Sequence, residues 1–150
     1  MKNSTVDILI IGAGPSGSVA SAYLHKQGVN VRVLEKSKFP RFVVGESLLP
    51  RCMEHFEAVG FLDCLKAKNF EVKSGARFIR GNELCEFDFS KKHGDGWNWT
   101  WQVPRADFDK TLTDELERRG VNIGFEQEVL AVDFDAEGRS KTTVKHKDGS

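Results

Sequence analysis

Residues Val6 to Ile11 form an apolar run interrupted by Asp7, and they lead directly into Gly12-Ala13-Gly14-Pro15-Ser16-Gly17. A second apolar run, Val31-Arg32-Val33-Leu34, closes on Glu35, 23 residues beyond the first glycine. An isolated Gly-x-Gly-x-x-Gly occurs often by chance. With a strand before it, a helical stretch after it and an acid at this distance, it becomes a nucleotide-binding fingerprint. The pattern commits the chain to a β-α-β beginning, and so to a parallel sheet covered by helices.

Each glycine has its own task. Gly12 permits a tight turn, Gly14 lets backbone amides approach a pyrophosphate, and Gly17 allows the helix to pack close to the strand. The helix N-terminus then faces the anion. Its unpaired N–H groups, with about half an elementary charge, hold a diphosphate without lysine or arginine. Ala13, Pro15 and Ser16 complete the loop as candidate cofactor-binding positions. Glu35 is placed to accept hydrogen bonds from the adenosine ribose hydroxyls. A carboxylate there repels a 2′-phosphate, which favours FAD or NAD over NADP.

The 150 residues suit one domain with a real core, and 22 basic residues balance 22 acidic ones. That balance leaves no electrostatic footprint for nucleic acid. The apolar runs near the N-terminus are short and lack a basic leader with a cleavage site, so the expectation is a cytoplasmic chain without signal peptide or membrane span. Cys52, Cys64 and Cys85 have no C-x-x-C spacing, which argues against a disulfide framework and a zinc site. His25, His55, His93 and His146 are scattered without metal-ligand spacing, and no metal is expected.

Periodicity organises the rest. Ser16 to Gln27 is predicted as the first helix, amphipathic through Val19, Ala20, Tyr23 and Leu24 and capped by Gly28. Lys36 to Ser47 has no period and reads as an ordered functional loop. Pro50 opens a helix with Cys52, Met53, Phe56 and Val59 as its apolar stripe; Gly60 ends it, and Phe61 to Lys68 is a further short helix. From Ala76 the period becomes two. Ala76 to Arg80, a Gly81-Asn82 turn, and Leu84 to Phe89, with Cys85, Phe87 and Phe89 on one face, make a β-hairpin of a second sheet. Trp97, Trp99 and Trp101 alternate with Asn98, Thr100 and Gln102, which predicts a strand ended by Pro104.

Asp107 to Arg119 is helical, with Phe108, Leu112 and Leu116 at spacing four, and Val121 to Phe125 is a third parallel strand. Val129 to Phe134 and Thr142 to His146 read as strands around an Ala136-Glu137-Gly138 turn, and Lys147-Asp148-Gly149 begins another turn. A chain that stops at a hairpin tip leaves a sheet unfinished, so the expectation is the N-terminal portion of a longer protein. The layout expected is a nucleotide-binding part over 1–70, an inserted β-rich substrate segment over 71–104, and the nucleotide-binding part resumed over 105–150.

Three strings carry a family resemblance: Gly12 to Gly17; Phe39-Pro-Arg-Phe-Val-Val-Gly-Glu-Ser-Leu-Leu-Pro50; and Val103-Pro-Arg105-Ala-Asp-Phe-Asp109. Together they resemble FAD-dependent oxidoreductases of the flavin-dependent halogenase and geranylgeranyl reductase type, relatives of para-hydroxybenzoate hydroxylase. The likeness extends over nearly the whole chain. It implies an α/β fold, a Rossmann-like FAD-binding domain interrupted by a β-rich substrate layer, with FAD as cofactor. It also implies that Arg41 and the strap Gly45-Glu46-Ser47 lie along the flavin, that Arg105 reaches the FAD from the resumed domain, and that Val129 meets the adenine through its backbone. Lys36, beside Glu35, joins this candidate cofactor-binding set. By physical argument alone, Arg41 equally suits a solvated loop charge and Glu46 an acid at a helix start.

Lys73 is the candidate catalytic residue, because halogenases of this type resemble one another in carrying an essential lysine at this place. Reduced flavin, oxygen and halide give a hypohalous acid that a donor must hold and polarise away from the flavin. An ammonium on a flexible stem supplies three such donors. An exposed lysine leading into a hairpin fits the same position. Trp99-Thr-Trp101-Gln-Val-Pro104 has the letters of the halogenase W-x-W-x-[IV]-P string, yet it runs directly into Arg105, whereas in tryptophan halogenases that string lies well downstream. The tryptophans are therefore read as one face of a substrate-domain strand. The resemblance implies an FAD-dependent oxidoreductase of a small apolar or aromatic organic substrate, working by flavin-hydroperoxide oxygenation or by halogenation. NAD(P)H or a separate flavin reductase would supply electrons. A prenyl reductase and a non-catalytic FAD-binding protein are the alternatives.

Overall fold

The computed structural model describes residues 4–147; Asp148 and Gly149 of the turn expected after Lys147 lie outside them. In chain order the elements are β1 (Ile8–Ile11), α1 (Pro15–Lys26), β2 (Val31–Glu35), α2 (Arg51–Ala58), α3 (Leu62–Lys66), β3 (Glu71–Lys73), β4 (Gly75–Arg80), β5 (Glu83–Asp88), β6 (Thr100–Gln102), α4 (Arg105–Arg118), β7 (Asn122–Phe125), β8 (Gln127–Phe134) and β9 (Ser140–His146). A parallel sheet in the order β1-β2-β7 lies at the centre. Its register sets Ile10 beside Val33 and Leu34 beside Gly124. The middle strand β2 is buried at Val31, Val33, Leu34 and Glu35, as expected of a strand covered on both faces.

Helix α1 follows the glycine turn and packs against β2 and α4, but its inward face differs from the sequence expectation. Ser18, Ser21 and Ala22 are buried, while Ala20 and Tyr23 are exposed and Val19 and Leu24 are half-buried. Close approach is the reason. A Cβ on Gly17 would stand 2.0 Å from the Gly12 carbonyl oxygen, and a helix so near its strand accommodates only small side chains. The hydroxyls of Ser18 and Ser21 donate to the carbonyls of Ala13 and Gly17 at 3.0 and 2.6 Å, which satisfies them inside the protein. Of the expected apolar stripe, Val19 packs half-buried against the core, while Ala20 and Tyr23 turn to solvent.

Helix α4 carries the core. Phe108, Leu112 and Leu116 are fully buried, each contributing about 1.5–3 kcal/mol of hydrophobic stabilisation. Phe108 meets Phe56 and Phe70 edge-on, with centroids 5.7 and 6.1 Å apart. The helix starts at Arg105, two residues before the expected Asp107, with Pro104 at its N-cap. At its other end Glu115 accepts hydrogen bonds from Arg118 and Arg119. Arg119 in turn donates to the carbonyls of Val59 and Gly60 and lies 4.9 Å over Phe61, clasping α4 to the α2–α3 corner. The bonds from Arg118 and then Arg119 outweigh the effect of burial and draw the Glu115 carboxyl down to about 2. Burial, then the Glu115 charge, pushes the Cys64 thiol up, away from thiolate reactivity.

Apart from β7, the strands after residue 70 form separate antiparallel pairs. β3 pairs with β6, setting Lys73 opposite Thr100, and β4 pairs with β5 as a hairpin, setting Ala76 opposite Phe87. The tryptophan strand is shorter than predicted: β6 spans Thr100 to Gln102. Both Thr100 and Trp101 are buried, so alternation does not divide a wet face from a dry one. The rings of Trp97, Trp99 and Trp101 instead run edge to face with centroids 5.2 and 5.3 Å apart. Strands β8 and β9 form the last hairpin, with an irregularity between Val129 and Ala131. No helix of the described residues is long and apolar enough to cross a membrane. Among the same residues, no group of three or more His, Cys, Asp or Glu side chains could hold a metal.

A candidate cofactor site and the strap that leaves it

The turn between β1 and α1 is an anion cradle built from backbone. Gly12 has φ +97°, and its N–H donates to the Leu34 carbonyl at 2.7 Å. Helix α1 then begins with Pro15, without a side-chain cap and without an acid in its first turn. With neither, the first N–H groups of the helix and its dipole are left for a ligand. Gly14 is informative for a different reason. Its backbone is extended, with φ −67°, and a Cβ there would come no closer to the protein than 3.7 Å, at Arg41 Nη2. The protein itself does not demand glycine at this position, so the missing side chain leaves room for a bound group.

Glu35 sits at the floor. It is 5% exposed, and its carboxylate accepts the Ala13 N–H at 3.0 Å and the Ser37 N–H at 2.9 Å. It thus braces the glycine turn as well as lining a cavity of about 540 Å³, shared with Gly12, Lys36, Arg41 and Val129. Lys36 is exposed at the rim. The irregular register at Val129 interrupts the ladder beside this cavity.

Arg41 joins the two sides. Its Nε lies 4.0 Å from Glu35 Oε1 and its Nη2 3.5 Å from Asp109 Oδ2, and the guanidinium stacks 4.6 Å over Phe39. Its Nη1 is buried without a hydrogen-bond partner. An unsatisfied cationic donor beside an uncapped helix end is what a diphosphate site requires before its ligand arrives. Asp109 was not singled out in the sequence, although it accepts a bidentate pair from Arg105 at 2.8 and 3.0 Å. The four-residue spacing of Arg105 and Asp109 on one helix was the available signal. Arg105 Nη1 also donates to the carbonyls of Val44 and Gly45 at 3.4 and 3.2 Å. Its donors hold the strap against α4.

From Gly45 (φ +112°) the strap runs along β6. The Val103 N–H donates to the Glu46 carbonyl at 2.8 Å, and the Leu48 N–H donates to the Trp101 carbonyl at 3.3 Å. Ser47 makes a β-bridge to Gln102, and the Glu46 side chain is exposed. The strap ends at Lys73. Lys73 Nζ donates to Ser47 Oγ at 2.5 Å and to the Leu48 carbonyl at 3.1 Å, and lies 5.2 Å over the Phe89 ring. Ser47 and Lys73 border a second cavity of about 550 Å³. The candidate residues therefore fall into two groups: Gly12, Glu35, Lys36, Arg41 and Val129 around the first cavity, Ser47 and Lys73 at the second. Arg105 holds the connecting strap at Gly45.

A nucleotide-sized cavity, a glycine turn at a helix N-terminus and a buried acid on β2 define a dinucleotide-binding α/β domain. The FAD binding domain family model matches residues 5–150, and the chain belongs to that family. The cofactor is accordingly FAD, and the open Gly14 position and the unpartnered Arg41 Nη1 fit it. The chain is 33% identical over 134 residues to a tryptophan 2-halogenase of Chondromyces crocatus, an alignment covering 89% of this chain and 25% of that protein. Among solved structures it is similar to a flavoprotein/dehydrogenase from Cytophaga hutchinsonii, with 52% identity, a TM-score of 0.91, and coverage of 98% of this chain and 36% of the other. It is also similar to CmlS, a flavin-dependent halogenase, with 36% identity, a TM-score of 0.86, and coverage of 97% and 27%. The chain spans about a quarter of the length of the first curated relatives it matches.

Proposed function

We propose that this chain is the FAD-binding portion of a halogenase-type FAD-dependent oxidoreductase acting on a small apolar or aromatic molecule. The observation that carries the reading is Lys73, whose ammonium is tied to the strap through Ser47 and Leu48 and borders an aromatic cavity. When bound, FAD supplies the redox chemistry, its reduced form activating dioxygen.

The chain's own residues bind, orient and polarise. Gly12 to Gly17 and Arg41 take the diphosphate, Glu35 takes the ribose with Lys36 at its rim, and the Val129 backbone takes the adenine. Arg105, held by Asp109, fixes Gly45, Glu46 and Ser47 along the flavin. An ammonium has three donors, and two of those of Lys73 end on Ser47 and Leu48. The third is left to hold and polarise a hypohalous acid next to the substrate. In this reading 1–70 and 105–150 form the cofactor domain, and 71–104 begins the substrate layer. NAD(P)H or a separate flavin reductase supplies electrons, and the cytoplasm is the compartment proposed.

The test is K73A in the full-length, FAD-loaded protein, followed for halide incorporation and flavin reoxidation. Halide incorporation is expected to disappear while reoxidation continues at the wild-type rate. Retained incorporation removes Lys73 from the mechanism. Anaerobic addition of NADH locates the electron source: bleaching of the bound flavin means the protein takes hydride itself, and a flavin that stays oxidised means that a reductase delivers it.

A further inference from the structure

Beside Lys73, the second cavity has an aromatic wall and two further lysines, Lys91 and Lys92, to which the proposed function gives no role. Ala76 and Phe87 face each other across the β4–β5 hairpin, and period two puts Phe78 and Phe89 on that same face. Phe78 and Phe87 meet edge to face with centroids 5.8 Å apart, and with Phe89 they line one side of the cavity. Three lysines, Lys73, Lys91 and Lys92, border it against a single carboxylate, Asp88. That carboxylate accepts the Ser90 N–H at 2.9 Å and the Ser90 hydroxyl at 2.7 Å, and these bonds, with a smaller contribution from the Lys91 charge, hold it below the usual carboxylate range. Among the described residues, none of the three lysines forms a salt bridge, whereas many exposed basic side chains elsewhere do, Arg77 with Glu86 and Lys110 with Asp114 among them. With three ammonium groups and one carboxylate among its lining residues, the rim of this aromatic pocket is net positive in a chain whose overall charges balance.

Resting on the proposed function, we infer that the substrate of this cavity is an anionic aromatic molecule, a flat apolar body carrying a carboxylate. The body stacks against the phenylalanine face, where ring quadrupoles favour edge and offset contacts. Lys91 and Lys92 attract the carboxylate, and Lys92 is held over the loop by donating to the Gly96 carbonyl. This division leaves Lys73, anchored on the strap, free of the substrate anion. Exposed lysines give discrimination more than affinity: one solvent-exposed ion pair contributes up to about 1 kcal/mol, or about fivefold in Kd.

The experiment compares 2-naphthoate with neutral 2-naphthamide by calorimetric titration of the full-length, FAD-loaded protein and of its K91Q/K92Q variant. The expected result is about fivefold tighter binding of the naphthoate by the wild type. That preference should fall to near unity in K91Q/K92Q, with naphthamide affinity unchanged. Equal affinities for the two probes in the wild type overturn the anionic class while leaving the Lys73 reading to its own halide test. A preference that survives in K91Q/K92Q overturns the role of the two lysines. Failure of both probes to bind overturns the assignment of this cavity to substrate altogether.

Discussion

Replacing Glu35 by glutamine separates the bracing seen in the structure from the ribose contact proposed for the same carboxylate. Oε2 accepts the Ala13 N–H at 3.0 Å and Oε1 accepts the Ser37 N–H at 2.9 Å, so the acid braces the glycine turn before any ligand binds. Glutamine keeps one acceptor oxygen and turns its NH2 toward the other N–H. One charge-assisted bond is then lost at a buried site, a cost of about 1.5–3 kcal/mol. That loss should appear in chemical unfolding of the FAD-free full-length protein. The same substitution removes the charge that receives the ribose hydroxyls, so FAD affinity should fall by a further bond of similar strength, about 10- to 150-fold in Kd. Flavin fluorescence quenching on titration measures it. A variant that is destabilised but binds FAD within twofold of wild type refutes the ribose assignment and leaves Glu35 as a brace alone.

The other predictions use contacts of the same framework. G17A places a Cβ 2.0 Å from the Gly12 carbonyl oxygen and should cost about 1–3 kcal/mol of stability. G14A, whose Cβ meets nothing nearer than 3.7 Å, should leave FAD-free stability within about 0.5 kcal/mol and weaken FAD; equal urea midpoints for the two variants contradict this. D109N strips the buried partner of Arg105 and Arg41, for which about 3 kcal/mol is expected, and an unchanged urea midpoint counts against the clamp. Glu115 is held down to about 2 in the folded chain, against about 4.3 when unfolded. Its stabilisation is therefore complete above that unfolded value and is lost as pH falls through the folded one. E115Q should be less stable than wild type by about 1 kcal/mol at pH 7, discounted for the exposure of Arg118, and should converge with it near pH 2. A gap in Tm that does not narrow on acidification refutes the reasoning.

The parts of this fold that sequence pattern exposes are those set by local backbone demands. The glycine turn, β2 ending on Glu35, the Phe108-Leu112-Leu116 stripe and the two hairpins after Ala76 and Val129 are each fixed by residues a few positions apart, and the structure forms each of them. What the pattern obscured depends on distance in space. Helix α1 turns Ser18, Ser21 and Ala22 inward because Gly17 meets Gly12, a constraint from the preceding turn that outranks the apolar period of the helix itself. Trp97 to Trp101 alternate as a strand would, yet only Thr100 to Gln102 are paired, since their partner β3 is itself short.

Asp109 is the sharpest instance of a residue hidden from linear reading. As the second acid of Ala106-Asp-Phe-Asp109 it resembles any helix-surface carboxylate, but it is 1% exposed, with Arg105 on its own helix and Arg41 from the loop after β2 both ending on it. The charge at Asp109 holds both arginines, and Arg105 in turn holds the strap that runs from the cofactor cavity to Lys73. A strap of glycine and short polar residues has no intrinsic preference for this path. Its course is set by Arg105 on the buried Asp109 at one end, by the β6 backbone along its length and by the Lys73 ammonium at the other, so Asp109, which lines neither cavity, helps decide where the two stand relative to one another.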